Sequence, residues 1–314
     1  LYKWLFLIMI TPMILSSCGY FNSGQLNNVG LLLEGTIHDE TWGRGAYLGS
    51  LNIKEEQNVS ALLRENIDTH REAEEAVQDF ASQGVNLVFG HGENFGRMFE
   101  QMNEYHPDIQ FIYFNGQIFD RNITSVNFDG YHMGFFSGML AAEMTETNQI
   151  GVIAAYHHQD EVQGFYEGIQ AVDSSINTII NSVNSWHDQQ RAMMMFDQLL
   201  DQGIDVIYPA GDGFNVPVIR AAEQHGIYAI GYIHDQYDVA PETVITSTVQ
   251  EVEGLYSEIA QMYNEGTLPS GIMNISFDQE YIYLGEYGDD VPIHLAAHID
   301  EMIEQYIDTG RLPQ

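Results

Sequence analysis

Cysteine is all but missing from this chain of 314 residues; Cys18 is the only one. A disulfide framework and a Cys-based zinc site are excluded by that count. Basic residues are scarce too: 10 Lys and Arg stand against 45 Asp and Glu, for a formal net charge of −35, and the only lysines are Lys3 and Lys54. Such a surface repels nucleic-acid phosphates and anionic membranes, so direct nucleic-acid binding is disfavoured. Removing residues 1–17 takes away only one cation, Lys3. The acids are spread along the chain, not gathered in a tail, and read as a solvated coat. Catalytic signatures are absent: neither G-x-S-x-G nor HExxH occurs, and no enzyme chemistry or cofactor is expected. Among the twelve histidines, His157 and His158 are adjacent and point apart, while His294 and His298 share a helical face that reads as the polar side of a terminal helix; no metal site is expected.

What is present is enough apolar material, 45% of residues with 12% aromatic, to bury more core than one average domain needs. The opening "LYKWLFLIMITPMILSSCGYFNSG" has one cation and an apolar stretch from Trp4 to Leu15 broken by Thr11 and Pro12. It is too short to span a bilayer as a stable helix and reads as an export segment. Leu15 to Cys18 resembles the bacterial lipobox, in which the cysteine becomes the lipidated first residue. Residues 1–17 are thus expected to be a lipoprotein signal peptide, and 18–28 an anchor and polar spacer at the outer face of the cell membrane.

Beyond Asn28, short apolar runs alternate with helical patterns, which predicts parallel sheets with right-handed crossovers. The pattern repeats. "VGLLLEG" at Val29 is echoed by "IGVIAAY" at Ile150, "QGVNLVFGHG" at Gln83 by "QGIDVIYPAGDG" at Gln202, and "IQFIYFNG" at Ile109 by "IYAIGYIHD" at Ile227, at offsets of 121, 119 and 118 residues. Two lobes of one design follow. The expected division is 26–126 plus 247–268 for the first lobe, 127–246 for the second, and 269–314 for a further crossing and a C-terminal helix. Repeated crossing makes a hinge, and the hinge bounds a cleft.

Ligands of open parallel sheets bind beyond the carboxyl ends of the strands. Those ends are Glu34 to Trp42, His91 to Asn94 and Asn115 to Gln117 in the first lobe, and Tyr156 to His158, Gly211 to Asn215 and Asp235 to Tyr237 in the second. The stretch "AGDGFN" lacks the lysine of a Walker loop and the spacing of a dinucleotide loop, and Asp212 at its centre repels phosphate. Asp212 accepts hydrogen bonds from a ligand, caps the helix that begins near Val216, or does both. Of the aromatics near the cleft, Phe95, Phe114, Tyr156 and Trp186 are best explained by core packing, whereas Trp42 and Phe214 follow strand ends among glycines and polar residues.

The lipobox, "EGTIHDETWGRGAYLG", "FDGYHMGFFSGMLAAEMT", "NQIGVIAA", "QGIDVIYPAGDGFNVPVIRAA", "AIGYIHDQYD" and "VITSTVQEV" together resemble the basic membrane protein family of substrate-binding lipoproteins. Its members include purine nucleoside receptors of ABC transporters. They are similar also to the Med branch of that family, named as transcriptional activators of competence in bacilli. The resemblance implies an α/β, two-lobed type I periplasmic-binding-protein fold, each lobe a parallel sheet flanked by helices, with the ligand at the hinge. It implies that Trp42 takes the place of a stacking Phe, that Asp39 keeps an acid of the motif, that Glu34 stands near an earlier acid, and that Phe214 makes a second ring contact. Asn115, Asp212, Asn215, Asp235 and Gln250 would hydrogen-bond the ligand with Asp39, and His91 would line the site. The chain departs from the family pattern at Asn115 and Ile233, where ligand-gripping Asp residues are usual, and at Gln250, where a lysine is. The implied partners are a small nucleoside-like ligand and an ABC transporter permease; the alternative is a Med-type regulatory lipoprotein, a positive regulator of competence gene expression acting by ligand sensing or protein contact.

Overall fold

The computed structural model describes residues 25–38 and 41–313. The export segment, Cys18 and Asp39 lie outside the described residues. In chain order the first lobe is built from β1 (Asn28–Leu33), α1 (Trp42–Gln57), β2 (Ser60–Arg64), α2 (His70–Ser82), β3 (Leu87–His91), α3 (Asn94–Met102), β4 (Gln110–Phe114) and β5 (Ile123–Phe128). The second follows with α4 (Gly130–Met144), β6 (Gln149–Ala154), α5 (Asp160–Val172), β7 (Asn177–Ser182), α6 (Gln189–Leu200), β8 (Val206–Ala210), α7 (Asn215–His225), β9 (Tyr228–Ile233) and β10 (Val244–Gln250). The chain closes with α8 (Val252–Glu265), β11 (Gly271–Ile275), β12 (Ile282–Leu284) and α9 (Ile293–Thr309).

Two six-stranded sheets result, ordered β2-β1-β3-β4-β5-β11 and β7-β6-β8-β9-β10-β12. The orders match position for position, and the echoed segments are β1 and β6, β3 and β8, β4 and β9. Among the described residues every pairing within these sheets is parallel except that of β10 with β12. The central strands are unbroken apolar runs because helices cover both faces, and β3, β4 and β8 are buried at every residue. The expected two-lobed α/β architecture is the one observed.

The chain passes between lobes after β5, after β10 and between β11 and β12. The observed boundaries differ in detail from the expected ones. Residues 247–250 belong to β10, paired with β9 and β12 in the second sheet, so the return to the first lobe starts at α8, which packs on α1. Within 269–314, β11 extends the first sheet beside β5 and β12 extends the second. These strands are only five and three residues long, too short for an alternation to mark them in the sequence.

The stretch from Gly130 is apolar all round because it is buried as α4, pressed against α5. The approach is backbone to backbone. A methyl group added at Gly134 would strike the Glu161 carbonyl, and one added at Gly164 or Gly168 would strike the carbonyls of Tyr131 or Phe135. This glycine packing ties α4 to the second lobe, although it is the first element after the crossing.

Candidate interlobe binding site

The carboxyl ends of the two sheets meet at the amino end of α1. Among the described residues, Thr41 makes no side-chain capping bond to that helix and no acid occupies its first turn. Its Trp42 N–H instead donates to Asp212 Oδ1, 3.2 Å away, on the loop after β8 in the other lobe. His234, after β9, donates from Nε2 to the Thr41 carbonyl at 3.0 Å. The N-cap position of α7 is Phe214, which makes no side-chain capping bond. The bond to Trp42 puts the Asp212 carboxylate at the amino end of α1, in the opposite lobe, a partner that the sequence reading of ligand acceptor or cap of the helix near Val216 did not include.

The Trp42 carbonyl accepts a 2.9 Å hydrogen bond from His91 Nε2–H, and His91 Nδ1 accepts from the Tyr256 hydroxyl at 2.9 Å. A carbonyl only accepts, which fixes the proton on Nε2 and leaves Nδ1 as acceptor. Burial pushes the His91 pKa down to about 3, against the Trp42 carbonyl, which favours the charged ring. The imidazole is therefore neutral. The Trp42 indole stacks on it and meets Phe114 and Phe128 edge-on at 6.1 Å.

Phe214, expected as a second ring contact, is instead fully buried in the core of the second lobe with Phe196, Val218 and Ile219. Its first-lobe counterpart at the 119-residue offset is Phe95, equally buried in the matching core. The signal was present in the echo "VFGHGENF": a repeat in which one Phe packs inside makes the other a core residue. Phe114 is also core, while Tyr156 and Trp186 meet edge-on, 5.5 Å apart, with Trp186 exposed.

The remaining sequence-named residues spread around the seam. Asn215 is fully buried at the start of α7; its Oδ1 takes Val216 N–H and Gln236 Nε2–H, and its Nδ2 has no partner. Gln250, at the end of β10, is 8% exposed and its Oε1 has no partner; Thr41, at 2%, has an unpartnered Oγ1. Asp235 accepts from Tyr237 N–H, Ser247 Oγ–H and Glu286 N–H. Glu34 accepts from Asn94 Nδ2 at 3.1 Å, and burial raises its pKa more than that bond lowers it. Asn115 is exposed just past β4.

Asn115 has a left-handed backbone, φ 62°, and so does Ile233, φ 70°, its counterpart at the 118-residue offset. For asparagine this is tolerated; for a β-branched residue it is a strained outlier. The turn it makes, His234 N–H to the Tyr232 carbonyl at 2.9 Å, is what aims His234 at α1.

Between the lobes lies a cavity of about 700 Å³, lined among others by Ile37, Thr41, Tyr47, Val216, His234 and Asp235. Thr41 and His234 were not singled out from sequence, nor was the cluster in which the Tyr232 hydroxyl donates to Glu161 at 2.7 Å and Gln159 bridges Glu161 and the Ala210 carbonyl. No spacing rule marks such residues: the meeting of Thr41 with His234 depends on how the lobes close, and Gln159, Glu161 and Tyr232 come from the start of α5 and the end of β9 within one lobe. Among the described residues no three His, Cys, Asp or Glu side chains come together as a metal site, and no helix is long and apolar enough to cross a membrane.

Residues 26–313 match the family model described as ABC transporter substrate-binding protein PnrA-like. The chain is 39% identical over 311 residues to the transcriptional activator protein med of Bacillus subtilis, covering 99% of this chain and 98% of that protein. It is 27% identical to a purine-binding protein of Brucella abortus, over 68% of this chain and 61% of that one. A crystal structure of a transcriptional activator of the comK gene from Bacillus halodurans superimposes with a TM-score of 0.86 at 40% identity, over 92% of this chain and all of that one. With a family model spanning nearly all described residues and a full-length relative at this identity, the chain belongs to the basic membrane protein family of PnrA-like ABC transporter substrate-binding proteins.

Proposed function

We propose that the protein is a lipid-anchored, extracellular solute-binding subunit of an ABC transporter that closes its lobes on a small polar, nucleoside-like ligand. The observation that carries this reading is the set of buried polar atoms without partners at the seam: Thr41 Oγ1 before α1, Asn215 Nδ2 at the start of α7 and Gln250 Oε1 at the end of β10. Each such atom costs about 1–3 kcal/mol if left unpaired, and a ligand rich in donors and acceptors offsets that. Trp42 supplies a flat apolar face beside them, and the similarity to a purine-binding protein supports a ring-bearing ligand. With Asn115 and Ile233 in place of acids and Gln250 in place of a lysine, three charged contacts of the family pattern are replaced by neutral side chains, while Asp212 and Asp235 keep their carboxylates at the cleft.

A second reading is favoured by the 39% identity to a protein named as a transcriptional activator. In it the same lobes sense a ligand or contact a protein to regulate competence genes, without touching DNA, since a net charge of −35 opposes it.

Thermal unfolding against a panel of nucleosides, bases and sugars tests the first reading. A ligand at 100 times its Kd adds about 2.7 kcal/mol. Stabilisation by nucleosides supports it; none with any nucleoside sinks the ligand class. Radiolabelled fatty acid incorporated at Cys18 supports the anchor, and an unlabelled cytosolic protein overturns it.

A further inference from the structure

We propose that Asp212 is a positioning residue that latches the lobes, holding Trp42 in place for the ligand, with His234 as a second point of the latch. The proposal rests on the cleft reading above.

An α-helix begins with backbone N–H groups that have no partner within it, and a carboxylate is favoured there by both hydrogen bonding and the helix dipole. Among the described residues, no acid stands in the first turn of α1 and Thr41 makes no side-chain capping bond. Asp212 reaches Trp42 N–H from the second lobe, and His234 reaches the Thr41 carbonyl from the next loop of that lobe. Both bonds land on one residue pair, the pair that carries the indole. From the first lobe, His91 grips the Trp42 carbonyl and stacks on its ring. His91 is in turn held by Tyr256 on α8, the helix that follows the crossing at Gln250–Val252. Trp42 is thus clamped from both sides, and parting the lobes removes one side of the clamp. Because Asp212 and His234 bind backbone of this chain, the latch acts whether or not a ligand is bound.

Hydrogen exchange followed by mass spectrometry on the full-length chain without ligand tests this. Segments 41–48 and 230–237 report on the two sides of the seam, and 150–154 in β6 reports on the fold. Asp212→Ala is expected to raise exchange in both seam segments by about tenfold or more, as befits loss of a hydrogen bond to a charged group, with 150–154 still protected. Asp212→Asn, which keeps a carbonyl acceptor, is expected to restore part of the protection. Unchanged exchange at 41–48 and 230–237 in Asp212→Ala overturns the latch. If that variant also loses ligand-induced stabilisation, Asp212 is a ligand acceptor and the cleft reading stands without the latch. Should Asp212→Ala lose protection at 150–154, Asp212→Asn and His234→Ala decide: faster exchange at 41–48 with β6 protected supports the latch, and no change overturns it.

Discussion

The Trp42 indole lies over the His91 imidazole, ring centroids 4.0 Å apart and planes inclined by 25°, while the same imidazole holds the Trp42 carbonyl at 2.9 Å. One side chain thus fixes both the ring and the backbone of the residue that the cleft reading needs.

That arrangement makes stability depend on acid. The His91 pKa is about 3 in the folded chain, below the ordinary 6.5, so below pH 6.5 the unfolded chain binds a proton that the folded one refuses. The His91 contribution is complete above pH 6.5 and is lost as pH falls from there toward 3. The expected slope approaches about 1.4 kcal/mol per pH unit between pH 6 and 4. Denaturant unfolding of wild type and His91→Gln across that range checks it; parallel curves would show that His91 does not carry the slope.

Tyr256→Phe leaves His91 Nδ1 buried without a donor. A loss of about 1–3 kcal/mol is expected in chemical unfolding. A smaller change for Tyr283→Phe, at an exposed tyrosine, serves as the control.

Phe214→Ala removes a fully buried ring from the second-lobe core, and about 3–5 kcal/mol is expected to go with it. If the residue acts as core, ligand affinity measured well below the new melting temperature stays close to wild type. An affinity loss without a melting shift would return Phe214 to the ligand.

Gly164→Ala drives a methyl group into the Tyr131 carbonyl, and neither helix backbone yields cheaply. A cost of at least about 1–3 kcal/mol is expected, whereas Gly35→Ala, with nothing near its added methyl, is expected to be nearly neutral. Melting temperatures of the two variants decide.

Ile233→Asn sets a loss of apolar burial against relief of a strained backbone. Ile230, buried on the same strand without a positive φ, offers the comparison. Ile230→Asn is expected to be the more damaging of the two by about 1–3 kcal/mol, the strain released at Ile233. Equal losses in unfolding would mean that the left-handed turn stores no strain.

The fold was legible because the repeat was. Three echoes at nearly constant offset gave the number of lobes, the correspondence of β1 with β6, β3 with β8 and β4 with β9, and the strand-end loops; the strand order came from the structure. The roles of residues at the seam were less legible. Trp42 and His91 lie where the strand-end rule put them, but Phe214 turned inward with Phe95, and Asp212 took a backbone partner 170 residues away. Periodicity reports which face of an element is buried within its own lobe. It says nothing of a contact made when two lobes meet, so the bond between His234 and Thr41 carried no mark in the sequence, and the Gln159–Glu161–Tyr232 cluster joins a helix start and a strand end of one lobe that no periodicity brings together.

The glycine contact between α4 and α5 bears on how the second lobe moves. With carbonyls seated where side chains would otherwise cushion them, the two helices turn as one stiff lever. The lever starts at Gly130, directly after the chain leaves the first sheet, and Glu161 at the start of α5 lies against Gly130 and Gly134. A small twist of the strand-to-helix joint at Phe128–Gly130 is therefore expected to carry α5 along with α4. Softening that joint, not the cleft itself, is the change to make where the goal is to alter how fast the protein opens while leaving what it grips untouched.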